Sequence, residues 1–177
     1  STLYVARNSK CIGWVGLQDK ARPEAQTAVS ELFDAGLKRI TMLTGDRREV
    51  ANKISAEWGC TDFKAHCLPQ DKLAIVESIR KDGHIVGVVG DGINDAPALA
   101  QSDVGISLGS GTDIAIETGD ITLVKGNLIG VVEAINLSRK TISTIKQNLF
   151  WAFIYNTIGI PLAALGLLNP MIAALAM

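Results

Sequence analysis

The sequence has 177 residues, a formal net charge of −1 and 47% hydrophobic content. That length suits one domain, or one and a part, and the charge gives no electrostatic case for nucleic-acid binding. The 17 basic and 18 acidic residues all lie at or before Lys146, so the average hides two solvents: water for the first part and lipid for the tail from Gln147 to Met177. Cys11, Cys60 and Cys67 are odd in number and irregularly spaced, which is no disulfide framework. They read as reduced thiols of a cytosolic domain, and His66 beside Cys67 lacks metal-ligand spacing. No signal peptide is present. The chain has no initiator Met and ends inside an apolar run, so it reads as a piece of a longer protein.

Thr2–Arg7 and Cys11–Leu17 predict two strands around a turn at Asn8-Ser9. Arg22-Pro23-Glu24 opens a helix, with Pro in the first turn where its missing N–H needs no partner. Ala25, Ala28, Val29, Leu32 and Phe33 follow at helical spacing, and Gly36 stops the run. The chain then alternates. Arg39–Leu43 is a short strand, and about Arg47–Trp58 and Asp71–Lys81 are helices. His84–Val89 is a continuous apolar run of the kind found in a strand buried on both faces. Ala96–Ala100 is a short helix, and Val104–Ser107 and Ile121–Val124 are further strands. This order predicts an α/β fold with a parallel sheet and helices on both faces, whose working residues sit in loops at the carboxyl ends of the strands.

Three segments in those loops carry phosphoryl-transfer chemistry: Thr44-Gly45-Asp46, Leu68-Pro69-Gln70-Asp71-Lys72, and Gly90-Asp91-Gly92-Ile93-Asn94-Asp95-Ala96-Pro97. A Thr hydroxyl with adjacent backbone N–H groups can hold phosphoryl oxygens. A Lys can neutralise developing charge, and a carboxylate between glycines after a strand can ligate Mg²⁺. The first segment reads equally well as a Thr-Gly turn with Asp46 as a helix N-cap. The third is poor structural material without a ligand, because it packs Asp91, Asn94 and Asp95 between glycines.

At these intervals the three motifs resemble those of the P-type ATPases, whose phosphorylation domain belongs to the haloacid-dehalogenase superfamily. The resemblance runs over essentially the whole chain. It implies that Thr44, with Gly45, contacts the phosphoryl group and that Lys72 stabilises it. Asp91, with Asp95, holds Mg²⁺; Asn94 and Asp95 complete the site; Asp46 sits on the ATP side. It also implies that residues 1–18 end a nucleotide-binding domain and its hinge strand, with Asp19-Lys20 at the hinge, and that 19–127 form the phosphorylation domain. Gly109–Leu123 matches a further family pattern, read as a structural contribution to the sheet. The family's nucleophilic Asp lies in a D-K-T-G-T motif, which this chain lacks and which would precede Ser1. The sheet then has an open position.

Residues 128–177 read as a linking helix, one membrane helix over about 147–168, and the start of a second over 170–177. Leu149–Leu168 is twenty residues without a charge, long enough as a helix to cross the ~30 Å core of a bilayer. Arg139, Lys140 and Lys146 place its start on the cytoplasmic side. Asn148 and Tyr155 share a face, and Pro161 frees the carbonyl of Thr157 beside Asn156. Asn148…Tyr155-Asn156…Pro161 resembles the seventh membrane helix of the cuprous-ion subgroup. The resemblance implies Tyr155, Asn156 and Met177 as ligands of transported Cu(I), with Zn²⁺ or a related divalent cation as the alternative. It implies ATP-driven export from a multi-pass protein of the plasma or inner membrane, delivery of the ion by a metallochaperone, and a cytoplasmic phosphorylation domain. Two rivals remain at this point. A soluble phosphatase of the same superfamily leaves the charge-free tail unexplained, and a non-catalytic binding module would keep the magnesium side without the nucleophile.

Overall fold

The computed structural model describes residues 2–16, 22–91, 93–109 and 113–166. The chain divides into two compact units, Ser1–Val132 and Glu133–Met177.

In the first unit, β1 (Thr2–Arg7) and β2 (Lys10–Gly16) form an antiparallel hairpin. Asn8 and Ser9 turn it with φ of 50° and 61°. Large side chains remain uncovered here, with Tyr4 76% and Trp14 68% exposed. The expected hinge residues Asp19-Lys20 lie outside the described residues.

The α/β part follows the expected alternation: α1 (Ala25–Asp34), β3 (Thr41–Leu43), α2 (Arg48–Trp58), β4 (Asp62–Lys64), α3 (Pro69–Lys81), β5 (Gly87–Gly90), α4 (Ala96–Gln101), β6 (Val104–Leu108), α5 (Asp113–Thr118) and β7 (Ile121–Leu123). Two of these elements were not predicted. β4 has three residues, two of them charged, and α5 lies in the segment read only as part of the sheet. All strand pairs here are parallel, β3 with β4 and β5 with β6 with β7. They form two ribbons rather than one sheet, with no pairing between the ribbons among the described residues. The run 84–89 is not a strand buried on both faces. Ile85 is 88% and Val89 40% exposed, and the strand begins only at Gly87. The physical reason is that, among the described residues, β5 has β6 as its one strand neighbour, which leaves its other edge and the side chains along it open.

The core is thin and rich in alanine: Ala25, Ala28, Ala51, Ala96 and Ala98 are buried with Leu99, Val76, Ile106 and Leu108. Small side chains let helices approach strands closely. Asp120 accepts the Gly105 N–H at 2.7 Å, and this gives the 109–123 segment its part in holding the three-stranded ribbon.

The far end of the strands is tied by Asp103. Its carboxylate accepts the Val86 N–H at 2.8 Å and pairs with Arg80 at 2.8 Å, while Arg80 donates to the Gln101 carbonyl at 2.7 Å. One carboxylate thus joins the end of α3, the end of α4 and the start of β5. The Val86 N–H, assisted by Arg80, holds the Asp103 carboxyl below the usual carboxylate range. The thiol of Cys60, by contrast, is pushed up by burial. All three cysteines are free.

The linking helix and the expected membrane helix are one element in the structure: α6 runs unbroken over Ile129–Ala164 with Pro161 inside it. It closes earlier than expected, at Gly166 with φ +72°, a left-handed stop that suits glycine. Asn169-Pro170 and the second apolar segment lie outside the described residues. Among the described residues, no helix is long and apolar enough to cross a membrane. Gln147, Asn148, Asn156 and Thr157 dilute the run, and Leu167 and Leu168 lie outside the described residues. In the second unit the helix surface is nonetheless apolar, with Phe150, Trp151, Phe153 and Ile160 each more than half exposed.

The depressed Asp103 pKa fixes a pH dependence. Its contribution to stability is complete above the unfolded carboxylate value and is lost as pH falls through the lower folded value. Asp103→Asn is expected to lower the melting temperature at neutral pH and to reduce the loss of stability on acidification. Parallel melting curves across the acid range check this, and curves of equal slope for the two proteins contradict it.

Candidate functional site

The site grows from two strand ends. Thr44 follows β3 and Asp91 follows β5, so both motifs occupy carboxyl ends of parallel strands. At the first end, the Asp46 N–H donates to the Thr44 hydroxyl oxygen at 3.1 Å, and that hydroxyl lies 3.0 Å from the Asp46 carboxylate, to which it donates. Asp46 is therefore not the helix cap that the sequence also allowed. Arg47 occupies the N-cap position of α2 without a side-chain bond. The segment after β4 braces this loop through its backbone. The Thr44 N–H donates to the Lys64 carbonyl at 3.0 Å, the His66 N–H to Asp46 at 3.0 Å and the Cys67 N–H to Thr44 at 2.9 Å. His66 takes a left-handed φ of 56° to do so.

Leu68 then starts α3. The Asp71 carboxylate accepts the Leu68 N–H at 2.8 Å, and Pro69 needs no donor in the first turn. This fixes Lys72 in that turn, where its ammonium donates to Asp95 Oδ1 at 2.6 Å. The two side chains are only 16% and 18% exposed. Asp95 ends a 3-10 turn over Ile93–Asp95 that leads into α4. Gly90 is obligatory beneath it, since a Cβ there would lie 2.6 Å from the Asp95 Cβ. Asn94 is exposed.

Asp91 is 53% exposed and pairs with Arg22 at 3.1 Å. Arg22 also donates to the Gly126 carbonyl at 2.9 Å. Sequence reasoning missed this contact, because Arg22 served there only to open α1 and no spacing links it to Asp91. Of the residues expected, the structure joins Lys72 to Asp95 and Thr44 to Asp46. Tyr155 and Asn156 are neighbours on α6, and Met177 lies outside the described residues.

Among the described residues no group of three or more His, Cys, Asp or Glu side chains could hold a metal ion. Mg²⁺ does not require one, because it is held by one or two carboxylates together with water and substrate phosphates. Asp91 fits that role: it is accessible, lies at a strand end and already has a cation, the Arg22 guanidinium, on one oxygen. Asp95, expected as a second magnesium carboxylate, has one oxygen committed to Lys72.

With this geometry, the family model for haloacid dehalogenase-like hydrolases matches residues 4–103. The chain belongs to this family. Along its whole length it is 48% identical to a probable copper-exporting P-type ATPase V of Mycobacterium tuberculosis and 46% identical to a copper-exporting P-type ATPase of Bacillus subtilis. Among solved structures, a zinc-transporting PIB-type ATPase in the E2.Pi state superposes over 99% of the chain and 28% of its own, with TM-score 0.80 and 40% identity. The catalytic CPx-ATPase domain CopB-B studied for nucleotide binding covers 75% of the chain and 52% of its own, with TM-score 0.66 and 30% identity. The chain spans 23% and 22% of the two curated relatives. The hydrolase fold and the P-type ATPase resemblance thus rest on sequence and structure alike.

The Lys72–Asp95 pair supplies a direct test. Removing one partner of a largely buried pair leaves an uncompensated charge, at a cost of about 3 kcal/mol. Lys72→Met should therefore destabilise the protein by roughly that amount in chemical unfolding, and Lys72→Met with Asp95→Leu should recover most of it. Additive losses would mean that the pair is not a stability element.

Proposed function

We propose that this chain is the magnesium side of the phosphorylation domain of an ATP-driven heavy-metal pump, with the beginning of the membrane region that carries its ion. What carries the reading is that Thr44 and Asp91 each follow the carboxyl end of a parallel strand, with Lys72 closed on Asp95 at 2.6 Å.

In this reading the Thr44 hydroxyl and the N–H groups of its loop turn from Asp46 to the phosphoryl oxygens. The Lys72 ammonium, pre-placed by Asp95, neutralises charge that develops on the transferred group. Asp91 gives a hard carboxylate oxygen to Mg²⁺, which supplies charge neutralisation at the phosphoryl group when bound. Asn94 and Asp95 complete the site, and Gly45 and Asp46 face ATP. The nucleophile is an Asp of a segment outside these 177 residues, where it forms the aspartyl phosphate.

The second unit supports the transport half. Exposed aromatic and aliphatic side chains around α6 are suited to lipid and to neighbouring helices. The residues expected as ion ligands, Tyr155 and Asn156, stand next to each other on that helix, ahead of Pro161. We assign the transported substrate as Cu(I), with Met177 as a soft third ligand. The curated relatives are named for copper, which favours it, whereas the solved neighbour is named for zinc. A multi-pass membrane location with the catalytic part in the cytoplasm, export as the direction, and delivery by a metallochaperone belong to the same reading.

The decisive experiment is ATP hydrolysis by the full-length protein in lipid with Cu(I), Zn²⁺ or no metal. Cu(I) alone should stimulate, Asn156→Ala should lose that stimulation, and Asp91→Asn should lower turnover by about 10²-fold or more, as expected when transition-state charge stabilisation is removed. Stimulation by Zn²⁺ alone would replace copper and keep the pump. Indifference to both metals would remove the transport reading.

A further inference from the structure

Arg22 has no part in the chemistry described above, yet its guanidinium bridges segments far apart in the chain. One nitrogen lies 3.1 Å from Asp91 Oδ2, and the other donates to the Gly126 carbonyl at 2.9 Å. The bridge reaches from the start of α1 to the loop after β5 and to the turn after β7. Its backbone is fixed, because the Arg22 carbonyl accepts the Ala25 N–H at 3.1 Å and Ala25 is fully buried. The Gly126 turn is closed by its own N–H on the Leu123 carbonyl at 2.8 Å. The two bonds differ in setting. The bond to Gly126 is partly buried, while the pair with Asp91 is exposed, at 36% and 53% for the two side chains.

We propose that Arg22 is a resident counter-cation for Asp91 that Mg²⁺ displaces, and that it sets how weakly the site holds the metal before a phosphoryl group arrives. The proposal rests on the reading of Asp91 as a magnesium ligand. An exposed ion pair is weak and readily exchanged, so the guanidinium keeps the carboxylate neutralised without blocking it. A divalent cation on the same carboxylate and a guanidinium beside it repel each other. Metal binding therefore works against Arg22 until phosphoryl oxygens add negative charge. The bond to Gly126 keeps the displaced guanidinium close, so that it returns when the metal leaves.

The test uses the full-length protein and Mn²⁺ as the probe, with binding read from loss of the free-ion EPR signal in the absence of nucleotide. Arg22→Gln removes the charge and retains a donor for Gly126, and it should tighten Mn²⁺ binding about tenfold by the Coulomb estimate for neighbouring charges partly screened by water. Arg22→Lys keeps the charge and should stay near the unaltered protein. Unchanged or weaker binding by Arg22→Gln overturns the proposal. Asp91→Asn separates the two layers of the argument. If it abolishes the site while Arg22→Gln has no effect, only the role of Arg22 falls; if Mn²⁺ still binds as before, the magnesium assignment falls and the proposal with it. A measurement on the unaltered protein decides the case if Arg22→Gln does not fold. Mg²⁺ should raise the rate of Arg22 modification by phenylglyoxal several-fold, mapped by mass spectrometry, and protection or no change overturns the proposal.

Discussion

The first unit depends on one close approach. Gly90 has no side chain, so Asp95 can fold back over the end of β5, and only from there does its carboxylate meet Lys72 at 2.6 Å. This contact joins the first turn of α3 to the loop that carries Asp91. A pair with less than a fifth of either side chain exposed is held by geometry and by mutual charge. Loss of either partner exposes the other to the full desolvation penalty. In the proposed reading the same pair places a cationic donor where developing phosphoryl charge is met without reorganisation. Stability and chemistry therefore ask for the same two residues. By contrast, the Arg22–Asp91 pair is open to water and can exchange its partner.

Much of this was legible in the sequence because the signals are local. The spacing of Ala25, Ala28 and Val29 encodes α1, although the helix begins at Ala25 and leaves Pro23 outside its first turn; α3 was legible too, but starts at Pro69, two residues before the expected Asp71. The Gly90–Pro97 loop also announces itself, since Asp91, Asn94 and Asp95 packed between glycines after an apolar run leave few structural alternatives. What stayed hidden is long-range or weakly patterned. β4 is too short to show a period. The Arg22–Asp91 contact spans 69 positions and leaves no spacing signal. The backbone brace from Lys64 to Cys67 is invisible for a different reason: it uses N–H and carbonyl groups that every residue has, and its only trace is the left-handed His66.

The helix that ends the described chain shows another limit of pattern reading. Absence of charge from Gln147 onward suggested a separate membrane helix, but hydropathy does not locate helix ends. α6 begins at Ile129, passes Lys146 without a break and stops at Ala164, four residues short of the expected boundary at 168. Pro161 does not stop it, since proline in a helix removes one bond and leaves the preceding carbonyl to find another partner. The charge distribution predicted a boundary near Lys146 that the helix does not have, and Gly166 decided its end.

The misjudged strand, β5, is the most informative departure. A run such as His84-Ile85-Val86-Gly87-Val88-Val89 is apolar on both alternating faces because both are meant to be covered, yet Ile85 and Val89 are open. Sequence and structure are reconciled if the run is matched to a wider sheet than the ribbon that contains it. Among the described residues β3 and β5 each pair on a single side and in the same parallel sense, and each ends in a loop bearing one of the motifs. Each of these strands therefore has, among those residues, an edge at which its ribbon could take a further parallel strand. An unpaired edge is a costly surface for an isolated domain. Here the strands with open edges are the ones whose carboxyl ends lead into Thr44 and Asp91, so the exposed edges and the candidate site belong to the same two strands.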